Sequence, residues 1–244
     1  MSESTSAKDL VGLHTLEVIA KADRFNQWMY GQFKHQLKGE ILEIGSGIGN
    51  ISQLVIEEGH TITLSDYNEE YCENLKRKFS QLSNVREVIS IDLLDQNFED
   101  KYSIYKEKFD SVFLLNVIEH IEDDEMAVKN CNYLLKSGGH LILLAPAYSW
   151  LYCTFDKQLG HFRRYSLKHL KGLLKNEGFS LLSGNYFNFT GIVGWFFFGK
   201  IMNKKMLSSG EMFAFNKIVP IAKIIDKLFG RSFGLSLIVS GIKN

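Results

Sequence analysis

Short apolar runs alternate along the chain with stretches in which apolar positions recur every three or four residues. The first pattern fits strands and the second amphipathic helices. Strands are predicted over 41–44, 61–65, 85–91, 109–115, 141–144, 179–186 and 235–241. Helices are predicted over 51–58, over 68–82, and after Ser166, where Leu167, Leu170, Leu173 and Leu174 share one face. The unbroken run from Val112 to Leu115 is what a strand covered on both faces of a parallel sheet looks like. Residues 136–139 should close the helix before the fifth strand, and Pro146 should end that strand. Strands and helices alternating at this spacing imply an α/β, doubly wound sheet whose ligands bind outside the carboxyl ends of the strands.

The first strand runs into E-I-G-S-G-I-G-N, residues 43–50, with glycines at alternate positions. Glycine supplies sharp backbone turns and lets a ligand approach the main chain. Glu43, an acid in an apolar strand, would be costly unless a ligand amine or a backbone donor paired with it. The dinucleotide fingerprint G-x-G-x-x-G needs a glycine or small residue at position 50, where Asn50 stands, so a nicotinamide-dependent oxidoreductase is disfavoured. The pattern E-x-G-x-G-x-G resembles instead the first motif of class I S-adenosylmethionine-dependent methyltransferases.

That resemblance runs over about 39–182 and implies a Rossmann-like, seven-stranded sheet with an antiparallel last strand. Around it stand a helical leader, 1–38, and an apolar and basic helical insert, 187–233, before the last strand of a domain spanning 39–244. It also implies S-adenosyl-L-methionine as cofactor, held by Glu43, Gly45, Ser46, Gly47, Gly49 and Asn50 of the loop. Asp66, some twenty residues beyond and at a strand's carboxyl end, suits the ribose hydroxyls, with Tyr67 beside it, although Asp66 could also cap the following helix. Asp92 and Leu93 would flank the adenine, or Asp92 could open a turn with Asp95. Asn116 would sit beside the methionine part.

The leader carries an apolar face through Phe25, Trp28, Met29 and Phe33, so Tyr30 and Trp28 are either cleft or core residues. After the fifth strand, D-K-Q-L-G-H-F-R-R-Y-S resembles a segment of bacterial methyltransferases of this class. Tyr148, Arg163, Arg164 and Tyr165 are candidate acceptor contacts, since a guanidinium forks onto carboxylate or phosphate. His161, His120 and Asp156 are candidate proton acceptors. Equally, Asp156, His161 and Arg164 could form a network that anchors the loop.

Composition adds a charge asymmetry and excludes some classes. Net charge is zero, yet residues 157–244 carry 14 Lys and Arg against three acids, leaving +11 there and −11 in the rest. An anionic partner for the basic part follows, unless folding interleaves the two. The insert combines F-T-G-I-V-G-W-F-F-F-G, too short to span a bilayer, with a helix predicted from Pro220 whose Ile218, Ile221, Ala222, Ile225, Leu228 and Phe229 face away from Lys223 and Lys227. It either lies on a membrane or covers a greasy acceptor, or serves as a lid or dimer surface. Cys72, Cys131 and Cys153 lack metal or disulfide spacing, so each should be buried and inert, and no metal is expected. The polar start, 1–8, lacks a signal-peptide pattern, which places the chain in the cytoplasm, peripheral at the membrane if the insert docks there. N-V-I-E after the fourth strand is not the motif of DNA adenine methyltransferases, so no nucleic-acid partner is expected. The expected reaction is methyl transfer to a small-molecule acceptor, hydrophobic or lipid-like; the alternative is a non-catalytic partner- or membrane-binding module on the same fold.

Overall fold

The computed structural model describes residues 3–229 and 232–244. Five parallel strands, β1 (Glu40–Ile44), β2 (Thr61–Asp66), β3 (Val85–Ser90), β4 (Phe109–Leu115) and β5 (Leu135–Pro146), join two more, β6 (Phe179–Phe187) and β7 (Ser236–Lys243), in one sheet. The order is β3-β2-β1-β4-β5-β7-β6, with β7 antiparallel to both neighbours. The seven-stranded sheet with an antiparallel last strand is therefore the fold the chain adopts. Fully buried residues such as Ile41, Leu42, Val112, Phe113, Leu114 and Ile142 explain the parallel arrangement, because apolar side chains leave both sheet faces.

Ten α-helices accompany the sheet among the described residues: α1 (Glu3–Ala20), α2 (Asp23–Tyr30), α3 (Asn50–Glu57), α4 (Glu69–Phe79), α5 (Phe98–Lys101), α6 (Asp124–Leu134), α7 (Thr154–Leu159), α8 (Leu167–Asn176), α9 (Phe189–Trp195) and α10 (Ser209–Phe229). Their caps follow sequence. Asn68, Asp123 and Ser166 accept from the backbone amides of Glu70, Met126 and His169 at the starts of α4, α6 and α8.

Two expected boundaries move. The helix α6 ends at Leu134, and 136–139 lies inside β5, where Gly138 has φ +74° and the β4–β5 register shifts between Phe109 and Ser111. The glycines thus serve an irregular strand entry rather than a helix end. The insert helix begins at Ser209, eleven residues before Pro220, which lies within it. A proline in a helix costs a hydrogen bond. Burial of Met212 and Val219 before it and of Ala222 after it holds both halves of α10 in place.

Leader and insert meet each other over the sheet. Val219 and Ala222 share a core with Trp28, Met29 and Phe187, and Met212 packs with Val18 and Ala22. The Asn216 side chain accepts from the Phe25 amide at 3.1 Å, and both oxygens of Asp226 accept from the amides of Asn188 and Phe189 at 2.8 and 2.7 Å. The expected apolar face of the insert helix is divided. Ala222 is buried and Ile225 half-buried, while Ile218, Ile221, Leu228 and Phe229 are exposed, as are Ile224 and Phe213. All three cysteines are free and buried. No helix among the described residues is long and apolar enough to cross a membrane.

Candidate active site

The glycine loop between β1 and α3 is shaped by backbone geometry. Gly45, Gly47 and Gly49 have φ of +74°, +55° and +78°, values that L side chains resist. A Cβ on Gly45 would run into Val117, and one on Gly49 into Phe79 and Leu75. One on Gly47 would meet Leu16 of α1 at 3.2 Å, so the leader packs closely over this glycine.

The loop is tied to β2. The Ser46 amide donates to the Ser65 carbonyl at 2.8 Å, the Ser65 amide donates to Ser46 Oγ at 3.2 Å, and the Gly47 amide donates to Asp66 Oδ2 at 2.9 Å. Asp66 Oδ1 also accepts from the Asn68 amide at 3.0 Å. It is therefore both a loop brace and a helix-approach residue. Burial pushes its carboxyl up, while the amides of Asn68 and Gly47 pull it down. The Tyr67 amide donates to it as well, so of a carboxylate's roughly four acceptor positions about one remains for a hydroxyl donor.

Glu43 finds its partner inside the chain: the Ser52 hydroxyl on α3 donates to it. The expected ligand amine or backbone donor is replaced by this side chain. Burial pushes Glu43 up to about 7 from its ordinary 4.5, against the pull of Ser52 and Ser46. Between those two values the folded chain holds a proton that the unfolded chain releases, so stability is fully present below pH 4.5 and is lost as pH rises through 7. The shift corresponds to roughly 3 kcal/mol. Glu43→Gln is expected to remove this dependence. Urea midpoints of the two proteins should separate between pH 5 and pH 8 in favour of the variant, and parallel midpoints would refute the assignment.

The remaining rim residues differ in what they offer. Asp92 is exposed, and its Oδ1 accepts from the Leu94 amide at 2.8 Å, forming the turn that was the alternative reading. Leu93 is buried in the core, its carbonyl held by Asn130 at 2.9 Å. Asn50 gives its side-chain amide to Asn26 of α2 at 3.1 Å, linking loop to leader. Tyr67 is exposed. Asn116 and Tyr148 follow the ends of adjacent strands β4 and β5 with φ of +53° and +63°, unusual conformations for non-glycine residues that concentrate at functional sites. Tyr148 also stacks on Tyr186, with ring centres 5.3 Å apart.

Most of the candidate acceptor contacts are committed elsewhere. Tyr30 is buried, with its hydroxyl donating to Glu58 at 2.9 Å, and Trp28 packs edge-on to Phe187, so both belong to the core. Tyr165 is fully buried against Asp124 at 2.9 Å. Arg163 pairs with the same Asp124 at 3.0 Å. Arg164 is 4% exposed, donates from Nε to Asp156 at 2.8 Å and from Nη1 to the Ala147 carbonyl at 3.1 Å, and lies over the Trp195 ring. The two arginines are therefore not a free anion clamp.

Asp156 is equally engaged: its carboxylate takes the Arg164 guanidinium, His161 Nδ1 at 2.9 Å and the Cys153 amide at 2.9 Å. Burial would raise its carboxyl, but His161 and Arg164 hold it below the ordinary range. The anchoring network is thus the arrangement present, with Asp156 a structural acceptor rather than a free base. His161 packs edge-on to His120 at 4.6 Å between ring centres. Between them comes a residue that sequence reading passed over, Glu119, fully buried and 4.0 Å from His161 Nε2. Its signal was an acid beside a histidine just past β4. Burial pushes Glu119 up to about 7, more than His161 and Arg164 pull it down.

A Rossmann-like sheet, a glycine loop at the end of β1 and acids at the ends of β2 and β3 define the class I methyltransferase fold. Residues 42–143 match the family model described as "Methyltransferase domain". The chain is 28% identical over 103 residues to the ubiquinone biosynthesis O-methyltransferase of Xylella fastidiosa (strain 9a5c), covering 42% of this chain and 40% of that one. It is 27% identical over 123 residues to a Dictyostelium discoideum chain named "Probable polyketide synthase 41", covering 44% and 5%. The chain thus spans two fifths or less of these two relatives. Among solved structures, a SAM-dependent methyltransferase from Archaeoglobus fulgidus superimposes with TM-score 0.58 at 16% identity, over 89% of this chain and 94% of that one. Phosphoethanolamine N-methyltransferase 2 of Haemonchus contortus, with S-adenosyl-L-methionine, gives 0.58 at 17% identity, over 89% and 52%. Residues 42–143 are thus similar to methyltransferase domains, and the chain shares the fold of these solved methyltransferases.

Proposed function

We propose that the protein transfers a methyl group from S-adenosylmethionine to a hydrophobic or lipid-like small molecule taken from a membrane surface. The loop glycines, Ser46, Asp66, Tyr67, Asp92 and Asn116 hold the cofactor, with the Glu43–Ser52 pair bracing the loop from beneath. Methyl transfer needs no protein nucleophile, so the chain's main contributions are orientation and exclusion of water.

The observation that carries the choice of acceptor is the outer face of α10. Ile221, Ile224 and Leu228 recur three and four residues apart and are 61%, 62% and 74% exposed, on the side away from buried Val219 and Ala222. Exposed Lys217 and Lys227 accompany them, and exposed Phe196, Phe197 and Lys200 lie in the segment after α9. An apolar stripe flanked by lysines is the pattern of a helix lying in an anionic bilayer interface. The inner face of this helix packs on the leader, and the leader's Leu16 roofs the glycine loop, so a docked α10 would bring the cleft to the lipid boundary. Part of the chain resembles proteins named ubiquinone biosynthesis O-methyltransferase, in keeping with methyl transfer to a small-molecule acceptor.

The test combines two measurements. Production of S-adenosylhomocysteine should be faster with a long-chain phenolic acceptor in vesicles than with its short-chain analogue in solution. The triple variant Ile221→Ser, Ile224→Ser, Leu228→Ser should lose at least tenfold in binding to vesicles containing phosphatidylglycerol, since each apolar side chain withdrawn from water is worth roughly 1 to 2 kcal/mol. Equal vesicle binding by the variant would refute the membrane face. Cofactor binding without turnover of either acceptor would favour a non-catalytic module.

A further inference from the structure

Glu119, His120 and His161 come together where the turn after β4 meets the loop after α7, and their ligand-capable atoms lie within 4.8 Å of one another. Among the described residues, neither carboxylate oxygen of Glu119 has a hydrogen-bond partner from another residue, although the side chain is 1% exposed. A buried carboxylate without donors is costly, and something must compensate it. The neighbouring charges do not: Arg164 is taken by Asp156, and Arg163 by Asp124. The cluster is therefore one negative charge in excess when its histidines are neutral.

The histidines are oriented to supply lone pairs. His161 bonds through Nδ1 to Asp156, which leaves Nε2 directed toward Glu119 at 4.0 Å. His120 bonds through one ring nitrogen to the backbone of Leu159, which leaves the other for the cluster. A carboxylate or carbonyl on the far nitrogen is the arrangement that fixes metal-binding histidines in the right tautomer. Here both histidines have it, and His120 is exposed, giving an ion a way in.

We propose that Glu119, His120 and His161 bind a divalent transition metal, with Asp156 and Leu159 orienting the two imidazoles. Two imidazole nitrogens and one carboxylate suit Zn2+ or Fe2+ rather than Mg2+ or Ca2+, which prefer oxygen shells. Three protein ligands leave a further position for water or an acceptor oxygen. The inference does not rest on the nature of the acceptor.

Calorimetric titration of the chelator-stripped full chain with Zn2+ should show one site of micromolar affinity or tighter, while Mg2+ at millimolar concentration should neither bind nor compete. Glu119→Gln, which keeps the shape, and His161→Ala should each weaken Zn2+ binding at least tenfold, whereas His60→Gln, a histidine outside the cluster, should not. Co2+ added in place of Zn2+ should give visible absorption bands that disappear in Glu119→Gln, a readout independent of activity and directly visible in the folded wild type. Zn2+ binding that is absent from the wild type, unchanged in Glu119→Gln, or displaced by Mg2+ would overturn the proposal.

Discussion

Asp66→Ala is expected to weaken S-adenosylmethionine binding by about two orders of magnitude or more. The carboxylate accepts from the Gly47 and Asn68 amides, at 2.9 and 3.0 Å, and in the proposed complex also takes a ribose hydroxyl. Each hydrogen bond to a charged group contributes roughly 1.5 to 3 kcal/mol, and the Gly47 amide would be left buried without its acceptor. The loop would then loosen at this glycine. Asp66→Asn separates the two roles. Its amide oxygen can still accept from one backbone amide, but it lacks the second acceptor oxygen and the charge, so binding should fall to an intermediate value. Calorimetry with S-adenosylmethionine measures both; affinity unchanged in the alanine variant would remove Asp66 from the cofactor site.

The second large effect is on stability. Asp156→Ala should lower unfolding stability by about 3 to 5 kcal/mol, because it strands a buried guanidinium. Arg164 is 4% exposed, and its remaining partners are the Ala147 carbonyl and the Trp195 ring. For a chain of this size the loss corresponds to a fall in Tm of about 10 °C. A change confined to methyl transfer, with Tm held, would return Asp156 to the catalytic candidates. The double variant Asp156→Leu, Arg164→Met should recover part of the loss, since removing both charges leaves neither uncompensated.

The glycine loop was legible because its geometry is local. Gly45, Gly47 and Gly49 need their left-handed φ values within five residues of chain, and a strand before and a helix after them appear as apolar periodicity. Asp66 could be placed by its position at a strand's end. The acceptor candidates were not legible in the same way. Tyr30, Tyr165, Arg163 and Arg164 look like recognition residues in sequence, yet their partners Glu58, Asp124 and Asp156 come from elsewhere in the fold. A tyrosine or arginine that closes a buried network has the same sequence signature as one that awaits a ligand.

Helix ends showed the same division. Ser166 could be recognised as a cap from its own neighbours, and it accepts from the His169 amide. Pro220 suggested a helix start, but packing of Met212, Val219 and Ala222 against the leader extends the helix back to Ser209. Burial outweighed a local preference worth about 3 kcal/mol.

Sequence alone determined the order of strands and helices, the glycine turn and the acids along the sheet's rim, because backbone sterics and apolar periodicity act over a few residues. Tertiary structure decided that the insert helix turns one apolar stripe inward and leaves another exposed, and that Glu119 lies buried between two oriented histidines. Those outcomes depend on which distant segments exclude water from a side chain and which supply its hydrogen bonds, and neither is written in the spacing of residues along the chain.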